Sequence, residues 1–283
     1  MTPLTHFDLV VLGLSVIFAL FNPEGMMKKA FKTTFDEIPA LYDEVRPTYP
    51  APLIEDIITL SNLRDNASIV EIGCGTGQAT TPFLERGYSV LAVELGQHLA
   101  EFTRQKFANY AHFAVEVASF EAWQPPDSQF DLLIAGQVFH WIEPELGLNK
   151  AASILKPNGS IALFWNTDVS WETPFYHATN AIYERFYVER PKAQKPGTGS
   201  DLYAEHLAQH PDFIKFQTRI YPWQETYTKE RYFKLLDTFS PHRVLEPEVR
   251  HQFYDELAQV VDQFGGNVTR FYEAVLLIAK RKD

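Results

Sequence analysis

Short apolar runs punctuate the middle of the chain, each bounded by glycine, proline or charged residues. Ala67–Ile72, Ser89–Val93, Phe130–Ala135 and Ser160–Trp165 are brief and almost continuously apolar. Runs of that kind read as strands buried on both faces. Between the last two, Leu146 to Leu155 carries a helical pattern that Lys156-Pro157-Asn158-Gly159 stops. Strands and helices alternating from 67 to 166 predict parallel βαβ units with helices on both faces. Residues 26–66 read as helix and turn, with Pro47 and Pro50 breaking any helix there. From 167 to about 215 the pattern breaks into an aromatic-rich segment (Trp171, Phe175, Tyr176, Tyr183, Phe186, Tyr187), polar from Pro191 to Ser200. This predicts a helical insertion with a mobile loop, in which Gly197-Thr198-Gly199-Ser200 is a loop rather than a phosphate nest. Helices are expected over 228–265, and two further strands, Thr218–Tyr221 and Phe271–Ala279, would close the sheet.

The first strand runs into Gly73, Gly75 and Gly77, a turn in which backbone can approach a ligand closely at a helix N-terminus. The spacing is not G-x-G-x-x-G, because the third glycine falls early, and no lysine follows to make a phosphate loop. Glu71 at the strand end would repel phosphate and can accept from a cationic amine. The turn therefore favours an S-adenosylmethionine-type ligand over NAD or ATP. The second strand ends in Glu94, roughly 20 residues on, where a Rossmann-like fold places an acid on ribose hydroxyls. Glu71, Glu94, Ser119 and Gln137 all fall at or just past predicted strand ends, the edge at which such sheets bind ligands.

The Glu-Ile-Gly-Cys-Gly-Thr-Gly turn, the Phe-Asp-Leu-Leu strand and the Leu-Lys-Pro-Asn-Gly turn stand together in one order. In this the chain resembles class I S-adenosylmethionine-dependent methyltransferases of the small-molecule type 11 branch, among them trans-aconitate methyltransferase-like proteins. The resemblance implies an α/β fold: a Rossmann-like, mostly parallel seven-stranded sheet with helices on both faces, an antiparallel final strand and a helical cap. It divides the chain into a cofactor-binding core with N-terminal lid (26–166), a cap with the last strands (167–283), and an apolar extension (1–25). It implies S-adenosyl-L-methionine as cofactor, cradled by Gly73, Gly75 and Gly77. Glu71 would face its amine, Glu94 its ribose and Leu95 its adenine. Ser119 and Phe120 stand where the family commonly has Asp-Ala against adenine, so that contact should be weaker; Phe120 serves equally as core. Gln137 would line the methionine or the methyl. His140 is the candidate general base or a neutral helix cap, and Trp141 a pocket wall. Arg46, in the lid segment Arg-Pro-Thr-Tyr-Pro, and Arg243 are candidate partners for an acceptor carboxylate, or members of ordinary ion pairs. Trp165, Trp171, Tyr176 and Trp223 would wall an aromatic acceptor pocket, or belong to the core.

Bulk properties narrow the field further. With 283 residues and a net charge of −11, the chain lacks the basic excess of a general nucleic-acid surface. Its one cysteine, Cys74, excludes an intramolecular disulfide and fits a reducing, cytoplasmic setting. Cys74 reads as a small residue that fits the turn. Residues 9–21 are apolar but short of the roughly 20 needed to cross a bilayer. They read as sequence upstream of the true start, with an interfacial anchor or a helix packed on the domain as the alternatives. His206 and His210 stand four apart, without the glutamate of a zinc helix, so no metal is expected. The expected function is in-line methyl transfer to a small-molecule acceptor, a carboxylate among the candidates, for which a general base is optional. The alternative is a non-catalytic cofactor-binding regulatory or partner-binding module; hydride transfer with NAD is disfavoured by the glycine spacing.

Overall fold

The computed structural model describes residues 35–125, 129–186, 188 and 200–283. The apolar stretch 9–21, Tyr187 and the segment Gly197-Thr198-Gly199 lie outside them. Seven strands form one sheet: β1 (Ser68–Ile72), β2 (Ser89–Glu94), β3 (Phe113–Val117), β4 (Phe130–Gly136), β5 (Leu155–Asp168), β6 (Phe213–Thr228) and β7 (Asn267–Arg281). Their order is β3-β2-β1-β4-β5-β7-β6. The pairs from β3 to β5 are parallel, while β7 runs antiparallel to both β5 and β6. Strand order reverses between β1 and β4, so a crevice opens there beyond the strand ends.

Alternation with period two explains why the central strands are apolar throughout. Val70, Leu133, Ile161, Leu163 and Leu277 face one side, where they meet Leu148 and Ala151 of helix Pro144–Ile154 and Tyr203 and Leu207 of helix Ser200–Gln209. Ile69, Leu132, Ile134, Phe164 and Leu276 face the other, under Leu53, Ile54 and Ile57 of helix Ala51–Ser61 and Phe83 and Leu84 of helix Thr80–Leu84. A third cluster lies in the cap. It joins Ile182 and Tyr183 of helix Pro174–Arg185, Leu235 and Leu236 of helix Lys229–Leu236, and Phe253, Leu257 and Val261 of helix Pro247–Gln263.

The last two strands are much longer than the short apolar runs predicted for them. β6 is the sheet edge, with alternate residues exposed along most of its length. Polar residues such as Gln217, Arg219 and Gln224 therefore belong to it, and Pro222 is tolerated because an edge strand has an unpaired side. β5 likewise continues past Trp165 to Asp168, carried by its pairing with β7 as far as Tyr272.

Candidate cofactor cleft and cap cavity

The glycine turn follows β1 directly. Gly73, Gly75 and Gly77 all have positive φ (64°, 56° and 90°), a region that side chains strain to enter. Their surroundings differ. A Cβ on Gly73 would lie 2.5 Å from Val138, and one on Gly77 2.5 Å from Phe107, so both are pressed against protein. A Cβ on Gly75 would meet nothing within 4 Å. This glycine presents open backbone to the crevice.

The turn is fastened from several sides. The Glu94 carboxylate accepts from the Gly75 N–H at 2.9 Å and from the Gly96 N–H at 2.8 Å. Thr103 donates to the Gly75 carbonyl at 2.6 Å, and Lys106 to the Thr76 carbonyl at 2.9 Å. Glu71 is 1% exposed and accepts the Thr80 hydroxyl at 2.6 Å. Burial pushes its carboxyl up to about 7; the Thr80 hydrogen bond opposes this and the nearby Glu94 adds to it. Burial also raises Glu94, against the pull of its backbone donors. Cys74 is a buried thiol raised well above its ordinary range by burial and by these two acids, hence no nucleophile.

Beside the turn lies an open cleft of about 490 Å³, lined by Glu71, Gly73, Gly75, Gly136, Gln137 and Arg46 among others. Tyr49 and Asn166 line it too, and the sequence reading assigned neither a role. Tyr49 packs edge-on against Phe164, with ring centroids 4.7 Å apart. Asn166 donates to the Thr48 carbonyl at 2.9 Å and accepts the Trp223 indole N–H at 3.0 Å, which ties the segment before helix Ala51–Ser61 to the sheet. A polar residue at the end of an apolar strand was the available signal. Gln137 sits at φ 59° and donates to the Asn166 carbonyl at 3.1 Å. Leu95, 46% exposed, and Ser119 lie along the same edge of the sheet, beyond β2 and β3. The Ser119 hydroxyl accepts from the Ala122 N–H at 3.2 Å.

These residues match a methyltransferase domain family over positions 70–163. An uncharacterized methyltransferase-like protein of Schizosaccharomyces pombe is 29% identical, over 82% of this chain and 86% of its own. The malonyl-[acyl-carrier protein] O-methyltransferase of a Paenibacillus species is 25% identical, over 75% and 79%. The YcgJ protein of Bacillus subtilis shares the fold, with a TM-score of 0.52 at 13% identity over 83% of this chain and all of that one. The chain carries a methyltransferase domain and is an S-adenosylmethionine-dependent methyltransferase.

The residues around the cleft suit the cofactor, S-adenosylmethionine. Glu71 offers a buried carboxyl that would meet a cationic amine, and Gly75 offers open backbone to a close-lying ligand. Glu94, at 6% exposed, is not among the described residues lining the cleft, and its two carboxylate oxygens accept from the Gly75 and Gly96 N–H groups. Other predicted residues of the methyltransferase lie elsewhere. Phe120 is buried among Trp123 and Phe139, and serves the core. His140 is exposed, and its Nδ1 accepts the Trp165 indole N–H at 3.2 Å. Neither His140 nor Trp141 is among the described residues lining the cleft. Arg243 does not reach it either, and pairs with Glu37 at 2.6 Å. Arg46 does reach it. Its guanidinium is buried, donates to the Thr238 carbonyl at 2.8 Å, and stacks on Tyr42 and Phe239 (4.8 and 4.4 Å to the ring centroids).

A second hollow, also about 490 Å³ with its mouth, opens in the cap. Its walls include Phe175, Tyr176, Tyr183, Tyr232 and Phe239, and its polar side is the ion pair of Asp168 with Arg270. Of the tryptophans and tyrosine predicted to wall an acceptor pocket, only Tyr176 lines this cavity; Trp165 is core, and Trp223 stacks on Tyr272. Among the described residues no group of three or more histidine, cysteine, aspartate or glutamate side chains is placed to hold a metal. No helix among them is long and apolar enough to cross a membrane.

Proposed function

We propose that the methyltransferase acts on a small-molecule carboxylate, whose oxygen attacks without help from a protein base. The observation that carries this reading is Arg46: a buried guanidinium forms part of the cleft wall, which Glu71, Gly75 and Gln137 also line. S-adenosylmethionine would supply a methyl group on a sulfonium, for in-line transfer to an acceptor lone pair as the C–S bond breaks and S-adenosylhomocysteine leaves as the neutral thioether. The protein's share is then to bind, orient and exclude water.

Glu71 would hold the amino group, the Gly73–Gly77 backbone the methionine part, and Glu94, which braces the turn, the ribose. Leu95, Ser119 and the Phe120 backbone would flank the adenine, and Gln137 would border the methyl. Arg46 orients the acceptor carboxylate. A carboxylate is already ionised at neutral pH, so no proton need be removed. This agrees with the placement of His140. Its Nδ1 lone pair is taken by the Trp165 indole, so in the neutral ring the proton sits on Nε2. In that form neither nitrogen is free to accept a proton from an acceptor. The relative that acts on malonyl-[acyl-carrier protein] is an O-methyltransferase, which supports oxygen as the nucleophile.

The test is a panel of carboxylic acids, phenols and amines incubated with S-adenosylmethionine, with S-adenosylhomocysteine release as the readout. Methylation of carboxylates, retained in His140→Ala, is expected. Turnover confined to phenols or amines, and lost in His140→Ala, overturns the carboxylate reading.

A further inference from the structure

The cap cavity holds an incompletely used guanidinium. Asp168 ends β5 and pairs across the ladder with Tyr272; Arg270 lies two residues before Tyr272 on β7 and so shares the face of Asp168. The Oδ1 atom of Asp168 is taken by the Ser170 N–H at 2.9 Å and the Ser170 hydroxyl at 2.5 Å. Its Oδ2 accepts from Nη2 of Arg270. That is the one hydrogen bond the Arg270 side chain makes among the described residues. A guanidinium carries five N–H donors, and the four left over include a planar fork shaped for a carboxylate. Arg270 is 12% exposed, with its guanidinium carbon 5.5 Å from the ring centroids of Phe239 and Tyr272. It stands in an aromatic-walled cavity, with donors to spare.

This cavity and the cofactor cleft share a wall. Asn166 lines the cleft and Asp168 lines the cavity, on the same face of β5 and about 6–7 Å apart along the strand. Phe239 lines the cavity and carries on its ring the guanidinium of Arg46, which lines the cleft.

We propose that the cap cavity is the acceptor subsite and that Arg270 is its specificity-determining residue, anchoring a carboxylate of an acceptor whose reacting group points toward Arg46. The proposal rests on the methyltransferase reading and extends it: the acceptor carries an anchoring carboxylate as well as its nucleophile. Asp168 has two parts in this. It holds the guanidinium in place, and it neutralises a charge that would otherwise be costly to bury while the subsite is empty. Burial opposes the charge on Arg270, but the paired Asp168 carboxylate holds it firmly protonated, so the anchor keeps its charge throughout the working pH range.

The experiment titrates benzoate, and benzamide as its neutral isostere, into protein saturated with S-adenosylhomocysteine, using saturation-transfer NMR. Benzoate is expected to bind about tenfold more tightly than benzamide, as a forked charge-assisted pair requires. In Arg270→Met the preference disappears, while affinity for S-adenosylhomocysteine stays within about twofold, since Arg270 does not line the cleft. Asp168→Asn frees the guanidinium of its internal partner and is expected to tighten benzoate several-fold; this variant decides the matter if Arg270→Met fails to fold. Equal binding of benzoate and benzamide, or weaker benzoate binding in Asp168→Asn, overturns the proposal. Failure of S-adenosylhomocysteine to bind is a separate result and strikes at the cofactor cleft.

Discussion

Replacing Glu71 by glutamine turns the buried acid of the cleft into a measurable quantity. Glu71 titrates near 7 in the folded chain against an ordinary value of 4.5, mainly because it is buried. At about 1.4 kcal/mol per unit of pKa, that separation corresponds to about 3 kcal/mol. The folded state holds the proton more tightly than the unfolded chain, so stability is greatest below about pH 4.5. It declines as pH rises, and the loss is complete just above pH 7. Glutamine keeps an acceptor for the Thr80 hydroxyl and removes the ionisation. Urea unfolding of the cofactor-free protein should therefore show wild type and Glu71→Gln nearly equal at about pH 4.5. The variant should gain up to about 3 kcal/mol by about pH 8. The gain shrinks somewhat because Glu94, itself raised, shares the site. The ligand reverses the balance. If Glu71 must be ionised to hold an amine, affinity for S-adenosylhomocysteine should rise about eightfold between about pH 6 and 7.5, following the ionised fraction. Calorimetry reads this directly, and Glu71→Gln should bind weakly at every pH. Parallel stability curves for the two proteins, together with pH-independent wild-type binding, would refute the reasoning.

Three other substitutions probe the site. Gly75→Ala should cost about 1–2 kcal/mol of stability for its left-handed backbone and reduce S-adenosylhomocysteine affinity more than tenfold. Gly73→Ala should melt lower still, because its Cβ strikes Val138; thermal melts beside calorimetry separate the two. His140→Ala should leave kcat within about threefold, whereas a general base would cost at least a hundredfold in initial rates. Arg243→Ala breaks a pair whose Glu37 partner is exposed, so it should leave kcat/KM unchanged in steady-state assays and cost no more than about 1 kcal/mol in urea unfolding.

Much of the architecture was legible because its causes are local. β1 and β4 are buried on both faces, so their apolar runs announce them, and the glycine turn declares its backbone through residue type alone. The edge of the sheet was harder to read. β6 exposes alternate residues and contains Pro222, so only a fragment of it looked like a strand. The site divides in the same way. Glu71, Gly75 and Gln137 sit next to strand ends and were found from sequence; the cleft brings them together. Arg46 was named, but its contacts with Thr238 and Phe239, almost two hundred residues away, have no local trace. Asp168 and Arg270 escaped altogether. Each lies just outside the strand predicted for it, and only the full length of β5 and β7 puts them together.

The measurement that bears most directly on the central claim is calorimetric titration of the purified protein with S-adenosylhomocysteine, with NADH in parallel and Gly75→Ala as the control. The account predicts saturable binding of the adenosyl ligand, none of NADH, and a loss of more than about tenfold in a control that still folds, because the Gly75 backbone is the open floor of the cleft. A folded wild-type protein that fails to bind the adenosyl ligand, or a Gly75→Ala variant that binds it undiminished, would contradict it.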